Sequence, residues 1–255
     1  MDINISVIIT NYNRGKQLAN SLISLKEAGA SEIVVADDGS ADKPDKIASY
    51  YKTKFISQRH KGFGLSKLRN LAVNLTRGNF LLFLDSDMIA SRDLLITWKN
   101  VIASLETNAI LYAMNGRYIY LASPNYVDWE SPYETHDPRE IGFRRKCKAF
   151  DKRFFANKSL SSQICHLFCG GHMLMSKFLY KEVHGFDEKF TVYGEEDWDF
   201  ALSVWEKGFH LAFIKDALVY HIPHPRDQID IEKSVNINKR YIIKKHNLIP
   251  KDILT

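Results

Sequence analysis

Cysteine is scarce in this sequence, and long apolar runs are missing from it. The three cysteines are Cys147, Cys165 and Cys169, and the last two have no partners at a zinc-binding spacing, despite the neighbouring His166. We therefore expect reduced thiols, as in a cytosol, rather than a disulfide framework or a zinc site. No apolar stretch approaches the roughly 20 residues that span a bilayer, and the N-terminus lacks the pattern of a signal peptide. The sequence predicts a cytoplasmic protein.

Motifs for nucleic acids and for dinucleotides are also absent. Aromatic residues occur between Phe150 and Phe155, but they form no recognisable stacking module for bases. The pair Gly62 and Gly64 lacks the third glycine of a dinucleotide fingerprint and follows the wrong element. We predict no nucleic-acid partner, and we assign no dinucleotide fingerprint.

Positive charge is in modest excess and is unevenly distributed. The formal net charge is +5, with one basic segment at 139–158 and a second at 239–245. Clusters of this kind suggest an anionic partner, although solvated surface accounts for most of these side chains. We leave open a peripheral contact of these segments with the inner face of a membrane. The composition, 45% hydrophobic and 25% charged, is that of a globular chain able to bury one large core or two small ones.

Apolar runs alternate with helical patterns over the first 90 residues. The predicted strands, each short and rich in β-formers, are 3–10, 32–36, 54–57 and 80–85. This alternation predicts an α/β fold with a mostly parallel, Rossmann-like sheet flanked by helices. The carboxyl ends of such strands meet at one edge, where ligands bind. The polar segments gathered there are 10–14, 37–40, 59–64 and 85–87.

The apolar run 80–84 ends in two carboxylates, Asp85 and Asp87. Because neighbouring carboxylates repel each other unless a cation or a proton lies between them, this Asp-x-Asp pattern predicts a divalent metal, Mn²⁺ or Mg²⁺. An acidic turn after a strand is the alternative, since Asp and Ser are common in turns. The further polar segments at the same edge favour the metal.

Four motifs in the first half carry a resemblance to a known family. They are the segments 6–14, 35–40, 68–72 and 83–87. Together they resemble the nucleotide-binding half of family 2 glycosyltransferases, which have the GT-A fold. The resemblance implies that Tyr12 packs on the nucleobase, Asp38 bonds a uracil ring and Arg69 lies near the diphosphate. It assigns Asp87 to the metal, and the other nucleotide-binding residues are Thr10, Arg14, Asp85 and Ser86.

The second half resembles the catalytic region of β-1,4-galactosyltransferases and of related polysaccharide polymerases and N-acetylgalactosaminyltransferases. The matching segments are 169–171, 185–187, 194–197 and 221–227. By this resemblance Asp197 is the catalytic base, Glu196 is an acceptor-binding carboxylate and His224 is a metal ligand. We also assign Gly170 and Gly171 to acceptor binding, because adjacent glycines let a backbone come close to a ligand.

Two residues depart from the galactosyltransferase pattern. Glu195 stands where that pattern has a second glycine, and His221 stands where it has methionine. His221 lies three residues before His224, after an apolar strand predicted at 218–220, and we predict it as a further metal ligand. An imidazole suits Mn²⁺ better than Mg²⁺, which prefers oxygen ligands and water.

Carboxylates crowd the start of a helix that is predicted to end at Gly208. Acidic residues favour a helix N-terminus for electrostatic reasons alone. The number here exceeds what a cap needs, and such crowding raises at least one pKa, as a general base near neutrality requires. The crowded residues are Glu195, Glu196, Asp197 and Asp199.

The sequence thus predicts one GT-A domain with a nucleotide-sugar-binding half at 1–115, an acceptor and catalytic half at 116–228, and a helical tail at 229–255. The irregular stretch 116–162, which follows a strand predicted near 110–114, is expected to face the acceptor. We interpret the chain as an inverting, metal-dependent glycosyltransferase. It would move a hexose or N-acetylhexosamine from a UDP-sugar to a hydroxyl of a glycan or lipid-linked glycan, with Asp197 deprotonating that hydroxyl.

Other readings of the same residues remain open. A strand that ends in Asp-x-Asp also describes haloacid-dehalogenase-type phosphatases, in which Asp85 would be the nucleophile and Asp87 the general acid. That motif normally follows the first strand, whereas here three strands precede it. The chain could also be a nucleotide-sugar-binding module without chemistry, or a transferase that retains configuration.

Overall fold

The protein is described here by a computed structural model that covers residues 2–120, 162–222 and 231–248. These residues form an eight-stranded sheet. The strands are β1 (Ile5–Asn11), β2 (Glu32–Asp37), β3 (Lys54–Ser57), β4 (Phe80–Asp85), β5 (Met88–Ala90), β6 (Tyr112–Tyr120), β7 (His172–Ser176) and β8 (His210–His221). The helices are α1 (Gly15–Glu27), α2 (Pro44–Tyr50), α3 (Leu65–Val73), α4 (Leu94–Leu105), α5 (Lys177–Glu182), α6 (Glu196–Glu206) and α7 (Ile231–Lys245). Short 3₁₀ helices cover Glu106–Leu111 and Ser162–Leu167.

The four strands of the first half lie side by side. Their order is β3, β2, β1, β4, and each pair is parallel. This confirms the predicted alternation of strands and helices. Strands β1, β2 and β4 carry continuous apolar runs because both faces of the sheet are covered there. In β1, for example, Val7 and Ile9 enter one core and Ile8 enters the other.

The second half adds strands in both directions, which makes the sheet mixed. Strand β7 is antiparallel to β4 and β6, whereas β8 is parallel to β6 and antiparallel to β5. Strand β6 begins later and is longer than the strand predicted near 110–114. The reason is long-range: β6 pairs with β8 from Tyr112 to Tyr120, while the residues before Tyr112 form a 3₁₀ helix.

The sheet separates two apolar cores. Helices α1, α2 and α4 pack on one face, and helices α3, α5 and α6 pack on the other. Leu18, Leu22 and Leu25 recur at helical spacing in α1, and all three are buried in the first core. Helix α7, which lies in the predicted C-terminal tail, joins the second core through Ile242.

Several sequence predictions fall outside the described residues. They concern the acceptor-side stretch beyond residue 120, the basic segment 139–158, Cys147 and His224. Within the described part of the chain, Cys165 and Cys169 take part in no disulfide. In that same part, no helix combines the length and apolar character needed to cross a membrane.

Candidate active site

The carboxyl ends of β1, β2 and β4 form what we call the sheet edge, defined by Thr10, Asp38 and Asp85. Thr10 and Asp85 are register partners on neighbouring parallel strands. The Thr10 hydroxyl donates to Asp85 Oδ1 over 3.0 Å, and the amide of Ser86 donates to the Thr10 carbonyl over 3.0 Å. The strand register therefore fixes the acidic end of β4 against β1.

Asp87 lies just beyond that edge, with its side chain only 3% exposed. Its Oδ2 is 3.4 Å from Arg14 Nη1 and 3.8 Å from His221 Nε2. The pairing of Met88 with His221 brings the imidazole there, and the amide of Ile222 donates to the Asp87 carbonyl over 2.9 Å. Two of the three predicted metal ligands thus lie next to each other.

The donor types at this position suit a divalent cation. Carboxylate oxygen and imidazole nitrogen are both ligands of Mn²⁺, and Asp87 and His221 supply one of each. Burial, and then the charge of Asp87, raise the pKa of the neighbouring Asp85 carboxyl. Among residues 2–120, 162–222 and 231–248, no three His, Cys, Asp or Glu side chains are grouped closely enough to hold a metal ion. The described residues therefore fit a partial coordination shell.

Asp38 sits in a tight polar cluster at the end of β2. Its Oδ1 accepts from Gln58 Nε2 over 2.6 Å, and its Oδ2 is 2.8 Å from His60 Nδ1. The ring of Tyr12 stacks on the His60 ring with centroids 4.2 Å apart and planes at 12°. Tyr12 and Asp38, both predicted to meet a nucleobase, are thus brought together by His60.

The sequence pattern predicts the loop 59–64 at this edge but indicates no role for Gln58 or His60. The available signal was position alone, since both residues follow β3 at its carboxyl end. The backbone of His60 can pass close to β2 because residue 39 is a glycine. Gly39 has φ +75°, and an added Cβ would lie 2.7 Å from the backbone nitrogen of His60.

Arg69 of α3 lies beneath the edge and is 1% exposed. Its Nη1 is 3.0 Å from Glu196 Oε1, and its Nη2 is 3.8 Å from Asp85 Oδ1 and donates to the Gly170 carbonyl over 3.2 Å. Gly170 has to be small, because an added Cβ would lie 2.6 Å from Arg69 Nη2. The residue predicted to lie near a diphosphate is therefore a buried cation that joins the two halves of the chain.

Gly171 makes a similar close approach on the same side. An added Cβ would lie 3.0 Å from Asp85 Oδ2 and from the Met88 methyl carbon. Both glycines thus let the backbone before β7 pass close to protein side chains, and the predicted contact of Gly170 and Gly171 with an acceptor stays a prediction.

The segment 194–199, which we call the acidic turn, leads into α6. Glu195 has a left-handed backbone, with φ +66°, at the position where the galactosyltransferase pattern has glycine. Asp197 is half-buried, and its Oδ2 accepts from the Gly170 amide over 2.8 Å. Glu196 is buried at 5% exposure and faces Arg69. The turn therefore presents Asp197 beside Gly170 while Glu196 points into the protein.

The predicted rise in pKa within this cluster is confirmed for two of its members. Burial, and then the charge of Asp197, raise the pKa of Glu196 to about 7, although Arg69 opposes the shift. The same two causes, in the same order, raise the pKa of Glu195. A carboxyl group with a pKa near neutrality exchanges protons at physiological pH.

Two family profiles match the chain. Glycosyl transferase family 2 matches residues 6–183, and the family described as the N-terminal domain of galactosyltransferase matches residues 156–225. The first match covers well over half of the sequence and includes the sheet edge and Arg69.

Similar characterised proteins include polysaccharide synthases. The chain is 26% identical over 254 residues to a chondroitin synthase of Escherichia coli, covering 92% of this chain and 37% of that protein. It is 25% identical over 275 residues to a chondroitin synthase of Pasteurella multocida, covering 99% of this chain and 28% of that protein. The chain therefore spans about a third of the length of these relatives.

Solved structures share the fold at low sequence identity. S. aureus TarS 1–349 matches with a TM-score of 0.67 and 19% identity, over 95% of this chain and 65% of that one. The mannosyltransferase PcManGT of Pyrobaculum calidifontis matches with a TM-score of 0.60 and 15% identity, over 96% of this chain and 63% of that one. These likenesses confirm the predicted GT-A fold.

Proposed function

The chain belongs to glycosyl transferase family 2, and from that membership we propose a metal-dependent, inverting enzyme that uses a UDP-sugar. It would transfer a hexose or N-acetylhexosamine to a hydroxyl group of a glycan or lipid-linked glycan. The observation that carries the proposal is the convergence of the sheet edge and the acidic turn on Arg69, which contacts Asp85 on one side and Glu196 on the other. Donor binding and acceptor activation would then share one centre.

The donor is proposed from the sheet edge. Asp38 would accept a hydrogen bond from the imide N–H of uracil, and Tyr12 would stack on the base. Structures of S. aureus TarS have been solved with UDP and with UDP-GlcNAc, which supports a uridine donor. PcManGT was solved with GDP-Man and Mn²⁺, so a guanosine donor is the competitor that an experiment has to exclude.

Asp197 is the proposed base because it combines partial exposure with a fixed carboxylate. Its Oδ2 is held by the Gly170 amide at 2.8 Å, whereas Glu196 is buried against Arg69 at 3.0 Å. Asp197 would take the proton of the acceptor hydroxyl, and the acceptor oxygen would bond to the anomeric carbon from the face opposite the diphosphate. The bond from that carbon to the diphosphate oxygen breaks, UDP leaves, and the configuration inverts. Glu196 is the proposed acceptor-side carboxylate.

Asp87 and His221 are the proposed protein ligands of a divalent cation, and His224 is the proposed third. When bound, such a cation would stabilise the negative charge that develops on the departing diphosphate. Arg14, 3.4 Å from Asp87, would add positive charge on the same side. Because an imidazole is among the ligands, Mn²⁺ is preferred over Mg²⁺.

The alternatives receive less support. A haloacid-dehalogenase-type phosphatase would use Asp85 as nucleophile, but the family match and the three strands that precede β4 favour a transferase. A binding module without chemistry would need no base beside the site, and Asp197 is held there by Gly170.

A panel of sugar nucleotides tests the proposal. Binding of UDP-glucose, UDP-GlcNAc, GDP-mannose and a nucleoside-monophosphate sugar would be measured by calorimetry with and without Mn²⁺. We expect the UDP-sugars to bind most tightly, and to bind more tightly with Mn²⁺ than without it. Tighter binding of GDP-mannose would refute the role given to Asp38. Release of phosphate without any nucleotide binding would favour the phosphatase.

A further inference from the structure

The C-terminal helix α7 forms hydrogen bonds with the acidic turn and with the loop before it. Asn238 of α7 is 3% exposed, and its Nδ2 lies 3.0, 3.3 and 2.6 Å from the carbonyl oxygens of Val192, Tyr193 and Gly194. One buried amide group thus lies within hydrogen-bond distance of three successive carbonyl oxygens, and the shortest contact is to Gly194. This is an anchor for the loop immediately before the acidic turn.

The junction between that loop and the acidic turn needs an anchor because of its backbone. Gly194 has φ +91° and Glu195 has φ +66°, and a left-handed conformation is sparsely populated for a residue such as glutamate. A strained backbone persists only where its surroundings hold it. The Asn238 amide binds the carbonyls directly before these two residues, and therefore fixes the direction in which the chain enters α6.

A second anchor on α7 holds the other end of the turn. Asp199 Oδ2 accepts from Lys245 Nζ over 2.8 Å, and Asp199 Oδ1 is 2.9 Å from His246 Nε2. The Asp199 amide donates to the Glu195 carbonyl over 3.1 Å, so Asp199 belongs to the same helical turn as the proposed base. One carboxylate of the crowded cluster is thus neutralised by α7.

The loop also contacts the nucleotide side. The Phe63 amide donates to the Thr191 carbonyl over 3.3 Å, and the Phe63 ring meets the Tyr193 ring edge-on with centroids 5.6 Å apart. The loop therefore packs between the segment that follows β3 and helix α7. A displacement of α7 would also displace the acidic turn.

We propose that Asn238 is a positioning residue for the transfer reaction, with Lys245 as the second anchor, so that docking of α7 sets the place of Asp197. This inference rests on the proposed function, because it assigns the turn to catalysis. Asn238 would act through the backbone before Glu195. Its loss should lower turnover and spare the binding of UDP at the sheet edge.

Asn238→Ala tests this inference, with Asn236→Ala as the matched control on the exposed face of the same helix. The readouts are the affinity for UDP with Mn²⁺ and the kcat for release of UDP from the UDP-sugar that binds most tightly. We expect Asn238→Ala to lower kcat by roughly 10- to 100-fold, since a small misplacement of a catalytic group costs that much. UDP affinity should stay within about twofold, and Asn236→Ala should match the wild type in both.

Lys245→Met, compared with Lys244→Met, covers the case in which Asn238→Ala does not fold. The same selective fall in kcat is expected for Lys245→Met. A lower melting temperature with an unchanged kcat per folded molecule, in either test variant, would overturn the inference and leave α7 as a purely structural element. Absence of UDP-sugar binding or turnover in the wild type would instead overturn the proposed function.

Discussion

The sheet edge and the acidic turn meet at Arg69, but they are held in place by different means. The sheet edge is set by strand register: Thr10 is paired with Asp85 across β1 and β4, and Asn11 with Asp37 across β1 and β2. Its polar groups reach each other because parallel strands end together. Any sequence that forms these strands brings these residues to one place.

The acidic turn depends on contacts from remote segments. Arg69 reaches Glu196 from α3, the Gly170 amide reaches Asp197, and Asn238 reaches the preceding loop from α7. None of these contacts follows from the local pattern of the turn. The residues proposed to bind the donor therefore come together with the fold, whereas the place of the proposed base is set by tertiary contacts that single substitutions can remove.

The largest effect is expected for Arg69→Met, which breaks both regions at once. It removes the cation from the buried Glu196 and from the partly exposed Asp85, and breaking a buried charge pair such as Arg69 with Glu196 costs about 3–5 kcal/mol. Urea unfolding would measure this loss. Arg77→Met is the control, since Arg77 is 83% exposed beside Glu32 and should change stability by less than about 0.5 kcal/mol. Adding Glu196→Gln to Arg69→Met should recover part of the loss, and a double variant no better than the single one would contradict the pairing.

Asp197→Asn is expected to separate the two regions. Asparagine keeps the shape and can still accept from the Gly170 amide, but it cannot take a proton at neutral pH. Turnover should fall by roughly 10²-fold or more, with Mn²⁺-dependent UDP affinity little changed. Steady-state kinetics and calorimetry would measure the two quantities, with the exposed Asp216→Asn as control. Near wild-type turnover would move the base to Glu195, Glu196 or Asp199.

His221→Ala and His224→Ala test the proposed metal ligands beside the sheet edge. Each is expected to weaken Mn²⁺-dependent UDP binding by roughly 10-fold, with more of the loss recovered by excess Mn²⁺ than for Asp87→Ala. Because an imidazole must be neutral to bind a metal, wild-type binding should fall as the pH drops. Titration of UDP binding against Mn²⁺ at several pH values checks both statements. His166→Ala is the exposed control, and a variant with unchanged metal dependence would show that its histidine is structural.

The smallest effect concerns the pH dependence of stability through Glu196. Its pKa is raised from 4.5 to about 7 in the folded protein, so folding favours the protonated form. The associated stability is fully present below pH 4.5 and is lost as the pH rises through 7. Glu196→Gln cannot lose that proton. As the pH rises from 5 to 8, the difference in unfolding free energy between Glu196→Gln and the wild type should therefore shift in favour of Glu196→Gln, by on the order of 1 kcal/mol.

Urea unfolding at those two pH values would measure the gain, and Glu182→Gln on the surface of α5 is the control. A pH dependence identical in the wild type and Glu196→Gln would show that Glu196 is charged throughout. In that case Arg69 would outweigh burial and the charge of Asp197 at this position.

The predictable part of the structure is the part with local signals. Strands β1, β2 and β4 carry continuous apolar runs that end at polar turns, and Gly29, with φ +83°, lies just after the end of α1. The Asp-x-Asp pair likewise comes directly after the apolar run of β4. These features depend on residues that are close in sequence, and a local pattern of apolar and polar residues therefore predicts them.

The unpredicted part depends on partners far along the chain. Strand β6 extends to Tyr120 because β8 pairs with it, and His60 matters because it bonds Asp38 and stacks on Tyr12. Arg69 was assigned to a diphosphate by resemblance, and only the three-dimensional arrangement brings Glu196 against it. Glu195 is an intermediate case: its replacement of a glycine marked the position, and the left-handed backbone explains why the related pattern has glycine there.

The pairing of β5 with β8 has a consequence for the order of folding. Strand β5 has three residues, and its pairing with β8 is what brings His221 to Asp87. Because contacts between distant segments form late, we expect the parallel strands β3, β2, β1 and β4 to assemble first during synthesis and β8 to close the sheet last. The nascent chain would then carry Tyr12 and Asp38, the residues proposed to bind the nucleobase, before it has both proposed cation ligands, Asp87 and His221. In refolding experiments, Mn²⁺-dependent UDP binding should therefore appear after the bulk of the secondary structure, which makes nucleotide capture a signal that the last strand is in place.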